Sequence, residues 1–234
     1  MKQPQLVADC MAAMRSALDA AGYASTPLSV KCRLGVDDYD SYDELQLFVK
    51  TVSERGGVRH FVVHARKCLL SGLSPAQNRS IPPLRHEWVW GLKRDFPHLF
   101  FSLNGGVQNG WEAAGALGLG PGGLEPGAVS GVMIGRAAYN DPWGVLGDAD
   151  VAVWGGAANQ AASRREVLER YCQYCDGMLG RWVAPCPWGL RGCSSAHGAG
   201  HAALLWYAQA AFLQQLKTSL FWCCACSYVV FLGS

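Results

Sequence analysis

Charge is scarce in this chain: Asp, Glu, Lys and Arg make up 16% of its 234 residues, and half are hydrophobic. That balance excludes an intrinsically disordered chain. Apolar runs of membrane-spanning length are lacking. The runs 202–213 and 218–232 stop short of the roughly 18–20 residues that a spanning helix needs, so no membrane partner is expected. A second metal-type cysteine pair is also lacking. Cys172 and Cys175 fall inside a helical pattern with no further pair at zinc-finger spacing, so no metal is expected. No cleavable secretory signal opens the chain, its ten cysteines are irregularly spaced, and a chain of this length needs no covalent staples. They read as reduced thiols in an intracellular compartment, cytoplasmic or organellar.

What is present is alternation. Residues 5–21 read as a helix with Leu6, Val7, Cys10, Met11, Met14 and Leu18 on its buried stripe. Leu28 to Gly35 reads as a strand. Helix 42–55 buries Leu45, Phe48, Val49 and Val52, and Ser41 with Glu44 fits a capping box. Strand 60–65 follows, then a long loop, 68–83, holding Pro75, Pro82 and Pro83. Helix 87–96, strand 99–103, helix 111–118 and strand 128–134 complete the series. The glycine-rich stretch Gly118 to Gly123 reads as a surface insertion. A loop beyond Tyr139 leads to a last helix, 163–182, with a stripe of Val167, Leu168, Tyr171, Cys172, Cys175, Met178, Leu179 and Trp182. Such alternation implies a parallel sheet with covering helices.

All four strands end in polar or glycine residues. Lys31 and Arg33 share one face of the first, opposite Val30 and Cys32. The apolar run Phe61-Val62-Val63 ends in His64, Arg66 and Lys67; the third strand ends in Asn104-Gly105-Gly106 and the fourth in Gly135-Arg136. In parallel α/β folds chemistry collects at such carboxyl ends, and in (β/α)₈ barrels a phosphate site follows the last two strands. Taken together, the four ends suit an anionic, hydrogen-bonding ligand, and flavin mononucleotide (FMN) satisfies the set. The net charge of +2 hides a bias: from Arg55 to His98 there are eight Lys/Arg against two acids. That segment suits a polyanion, although a solvated basic face is the commoner cause.

Several stretches, in order, resemble the tRNA-dihydrouridine synthases, closest to their bacterial-type A branch. They are Pro4 to Cys10, Val30 to Gly35, Asp37-Asp38 through Ser41-Tyr42, His64 to Lys67, Leu70 to Pro75 with Asn78-Arg79, Ile81 to Leu84, Leu92 to Pro97, Asn104 to Gly106, and Gly135 to Tyr139. The resemblance implies the second half of a TIM (β/α)₈ barrel, its last four β/α units, in residues 1–150. A helical tRNA-binding domain would start in 160–183. It implies reduction of the uridine C5–C6 bond in tRNA, with FMN as cofactor and NADPH as reductant, and no obligate protein partner. Lys31, His64, Asn104, Gly105, Gly106, Gly135 and Arg136 match the family's FMN-binding motifs. Arg33 and Lys67 are expected near the flavin and target uridine, and Asn78 and Arg79 at the tRNA.

There are departures too. No cysteine matches the family's proton-donating cysteine, so the chain is expected to be incomplete and no catalytic residue is assigned. Half a barrel leaves two parallel strand edges unpaired, and the chain alone is expected neither to fold stably nor to reduce uridine. Residues 184–234 are rich in Cys and Trp; from Gly192 onward Lys217 is the only charged residue. This tail is expected to be foreign to the domain, or else a helical hairpin or membrane-surface anchor. Two other functions stay open: a non-catalytic RNA- or phosphate-binding remnant, and another FMN-dependent TIM-barrel oxidoreductase.

Overall fold

The computed structural model describes residues 1–119, 128–182 and 229–232. Helices and strands alternate as α1 (Pro4–Ala20), β1 (Ser29–Arg33), α2 (Tyr42–Gly56), β2 (His60–His64), α3 (His86–Asp95), β3 (Phe100–Asn104), α4 (Gly110–Ala116) and β4 (Gly131–Ile134). Strands β1 to β4 pair in parallel and in chain order. The chain is therefore an α/β structure, as its alternation implies. Local chemistry sets the boundaries. At α2, the Ser41 side chain accepts from the Glu44 N–H while the Glu44 carboxylate accepts from the Ser41 N–H, so two otherwise orphaned donors are satisfied.

The pleat divides the sheet into two unlike faces. On one face lie Cys32, Phe61, Val63, Phe101, Leu103, Val132 and Ile134, all buried. They meet Leu45, Phe48, Val49 and Val52 of α2 and Val89 and Leu92 of α3 in one apolar core. Phe61 and Phe101 stack there with ring centroids 5.9 Å apart; burying each ring contributes roughly 1.5–3 kcal/mol. The other face carries Lys31, Arg33, Val62, His64, Ser102, Asn104 and Met133. The register lines up Arg33, His64, Asn104 and Met133 as one row across the sheet.

Helix α1 buries a different stripe from the one its hydrophobicity suggests. Pro4, Ala8 and Met11 face inward, while Leu6, Cys10 and Met14 are exposed. The cause is close packing on α2: a Cβ at Gly56 would lie 3.1 Å from the Ala8 Cα, so small residues are needed at the crossing. Short helix α5 (Arg136–Asn140) follows β4, and the expected loop beyond Tyr139 holds two more, α6 (Pro142–Leu146) and α7 (Ala149–Ala152). Their buried residues are mainly Ala, Val and Leu over runs of four or five residues, too short for a periodic signal.

Helix α8 (Arg164–Trp182) forms at the expected place, yet its apolar stripe is unevenly covered among the described residues. Tyr171 is buried, whereas Leu168 and Cys172 are exposed; the side chains of Leu179 and Trp182 lie outside the described residues. The i,i+4 pairs Arg165–Glu169 and Glu166–Arg170 run along its surface. From the tail, Val229–Leu232 forms β5, antiparallel to β4 with Val229 beside Ile134 and Leu232 beside Gly131. This corrects the expectation of two unpaired edges, because β5 takes the outer edge of β4. The rest of the tail and residues 120–123 of the glycine-rich connection lie outside the described residues. Among the described residues, no helix is long and apolar enough to cross a membrane.

Candidate functional site

The polar row across the sheet is the floor of the site. His64 ends β2 and is 8% exposed. Burial, followed by the positive charges of Arg33, Lys31, Arg66 and Arg136, pushes its imidazole down to about 3, so the ring is neutral at physiological pH. Arg66, two residues on, donates to the carbonyls of Ser80 (3.2 Å) and Pro82. Its Nε is buried and has no hydrogen-bond partner among the described residues. Burial and the charges of Arg136 and Arg33 lower its pKa as well.

No carboxylate is among the groups that shift His64 or Arg66. The nearby acids are engaged further out. Asp40 pairs with Lys67 (3.0 Å) and Arg85 (3.0 Å), and Asp37 pairs with Lys2 (2.9 Å). Cations therefore crowd a neutral imidazole, a field that favours a bound anion.

At the end of β3, the Asn104 amide donates to the Met133 carbonyl at 2.9 Å and ties β3 to β4. Gly105 and Gly106 follow with φ of 103° and 92°, a region that side chains rarely adopt. A Cβ on Gly105 would come within 2.8 Å of the His64 ring, and one on Gly106 within 2.9 Å of Leu84. These glycines bring bare backbone against the imidazole, and such backbone can present N–H groups to an anion. Gly135 closes β4 as the residue before α5, and the Arg136 guanidinium donates to the Arg79 carbonyl at 3.1 Å.

The 70–79 loop is fastened from below. The Asn78 amide accepts from the Leu69 N–H (2.8 Å) and donates to the Leu69 carbonyl (2.7 Å), and the residue is buried. Arg33 donates to the carbonyls of Asn78 (2.9 Å) and Lys67 (3.2 Å). Lys31 and Arg79 are exposed. So His64, Lys31, Arg33 and Arg136 gather into one field, Gly105 and Gly106 border it, and Arg79 joins through its backbone. Asn78 and Lys67 turn towards the loop framework instead. Sequence reasoning placed Arg66 at the strand end but gave it no site role, although the two-residue period from His64 marks it. It also passed over Leu84 and His86, for which no spacing gave a signal.

Five described cysteines are free. Cys32 faces the helix side of the sheet, and burial pushes its thiol up to about 12, which makes it inert. Cys10 is exposed on α1, and Cys172 and Cys175 are on α8. Among the described residues, no cluster of three or more His, Cys, Asp or Glu could hold a metal ion.

The family model for dihydrouridine synthases matches residues 1–184. A tRNA-dihydrouridine(20/20a) synthase from Vibrio parahaemolyticus is 43% identical over 181 residues, which cover 77% of this chain and 50% of that protein. The enzyme of the same name from Escherichia coli K12 is 45% identical over 161 residues, 69% of this chain and 42% of that protein. The chain thus spans about half the length of the curated relatives it matches.

Proposed function

Because the chain belongs to the dihydrouridine synthase family, we propose that it forms the cofactor-phosphate and RNA side of a tRNA-dihydrouridine synthase site, within the second half of a TIM barrel. The observation that carries this reading is the cation field around neutral His64, with a buried, unpartnered Arg66 Nε and a two-glycine cradle beside it. These residues fit a phosphate monoester such as that of FMN. The Gly105-Gly106 backbone with Gly135 and Arg136 would hold the phosphate. Lys31, His64 and Asn104 would meet the remainder of the cofactor. FMN, when bound and reduced by NADPH, supplies hydride chemistry suited to the uridine C5–C6 bond.

The chain's own residues then have four tasks. His64 contributes an uncharged hydrogen-bonding ring. Half-buried Arg66 supplies positive charge where it acts more strongly than in water, and exposed Arg136 adds charge at the rim. Arg33 and Asn78 hold the loop that carries Arg79 towards the tRNA backbone. An extruded uridine needs such a rim of phosphate-binding cations. In this reading residues 1–150 belong to the barrel, 160–183 open the tRNA-binding helical domain, and the chain works inside the cell. Residues 184–234 stand apart from both, apart from the strand they lend to β4.

The position of Cys32 on the opposite face favours a second reading, in which the chain binds RNA and phosphate without chemistry. One experiment separates them. The purified chain is given FMN, NADPH and unmodified tRNA, and dihydrouridine is counted by mass spectrometry. With no proton-donating cysteine assigned, and with β5 covering one of the two edges whose exposure argued against stable folding, we expect retained FMN and salt-dependent tRNA binding without product. Salt-dependent tRNA binding without retained FMN would favour the second reading; dihydrouridine formed by the chain alone would overturn the incompleteness, and binding of neither FMN nor tRNA would overturn the family role of the site.

A further inference from the structure

The Gly105–Gly106 peptide is contacted by a side chain from outside the four strand ends. His86 opens α3, and its Nε2 lies 2.8 Å from the Gly105 carbonyl oxygen. A carbonyl oxygen can only accept, so Nε2 must carry the proton. The bond fixes one side of the peptide plane. Among the described residues every peptide bond is trans, so the Gly106 N–H points away from His86. No described residue accepts a hydrogen bond from that N–H.

His86 is itself held firmly. The N–H of Arg85 donates to the Ala65 carbonyl at 2.9 Å, which ties the start of α3 to the end of β2. The Arg85 guanidinium grips both oxygens of Asp40 (3.0 and 3.3 Å) and lies 4.8 Å from the centre of the Trp88 ring. Trp90, one turn along α3, flanks the imidazole at 6.2 Å between ring centroids. A Cβ on Gly106 would lie 3.3 Å from the His86 ring, so the ring also walls the second glycine.

We propose that His86 is a positioning residue that, by bonding the Gly105 carbonyl, turns the Gly106 N–H towards a bound phosphate. The inference rests on the reading of this site as a phosphate cradle. Glycines with φ near 100° have many other orientations open to them, and a donor on the carbonyl side removes most of these before a ligand arrives.

The test compares FMN with riboflavin, which lacks the phosphate, by quenching of flavin fluorescence. The unsubstituted chain, His86→Phe and His86→Gln are titrated, with thermal melting as the check on folding. His86→Phe is expected to weaken FMN binding about tenfold, the worth of one oriented hydrogen bond to a charged group, and to leave riboflavin binding unchanged. His86→Gln keeps an N–H donor and should recover most of the loss. Unaltered FMN affinity in His86→Phe, or equal losses for FMN and riboflavin, would overturn the role of His86. If the unsubstituted chain itself fails to prefer FMN, the phosphate reading falls and the inference falls with it.

Discussion

His64 and Asn78 show how a side chain's surroundings decide its use. The imidazole of His64 is held near 3, below its unfolded value of about 6.5. The unfolded chain therefore binds the extra proton first, and stability is lost as the pH falls from about 6.5 towards 3. Burial lowers the pKa of His60 too, and it acts in the same direction. By NMR the His64 ring should show no titration between pH 8 and 5; an inflection near 6.5 would contradict its desolvation. Asn78→Ala leaves the Leu69 N–H and carbonyl without their partner and should cost about 1–3 kcal/mol in chemical denaturation. By spacing alone both positions read only as polar residues at a strand end or in a loop, and the family resemblance expected His64 at the flavin and Asn78 at the tRNA. A buried amide that serves its own loop and an exposed one that serves a ligand look the same until the fold places them. Arg66 stood at the strand end in the sequence, and its two-residue spacing to His64 could have given it a site role, whereas His86 depends on how α3 meets the β3 loop, a contact that no local pattern records.

The main elements were legible because each carries its own signal. Phe61-Val62-Val63 is β-branched and apolar, and Ser41 with Glu44 announces α2. What escaped depended on packing between elements. The buried stripe of α1 is chosen by the Ala8–Gly56 crossing, which overrides the larger Leu6 and Met14. Helices α5 to α7 are too short to show a period. Strand β5 was invisible for a related reason: Val229 to Leu232 could join any edge, and only the pairing with β4 says which. Truncation after residue 228 should therefore leave β4 with a bare edge and raise association, measured as light scattering against protein concentration. Scattering equal to that of the full chain would mean that β5 does not protect that edge. Phe61→Ala, which opens the stack with Phe101 under the helices, should cost about 3–5 kcal/mol.

Over the whole molecule, the two faces of one sheet divide the labour. The helix side holds the fold through apolar burial, and the opposite side gathers Arg33, Lys31, Arg66 and Arg136 around the neutral His64 ring. Net charge alone, at +2, gives no hint of this concentration. The field is the reason to expect a phosphate here, and the basic rim around Arg79 is the reason to expect RNA. The most direct test is the affinity of the chain for FMN relative to riboflavin, in the unsubstituted form and in Arg136→Met. FMN should bind at least about tenfold more tightly than riboflavin, and Arg136→Met should remove most of that advantage, since a charged hydrogen bond to phosphate is worth about that much. Equal affinity for the two flavins in the unsubstituted chain would contradict the account.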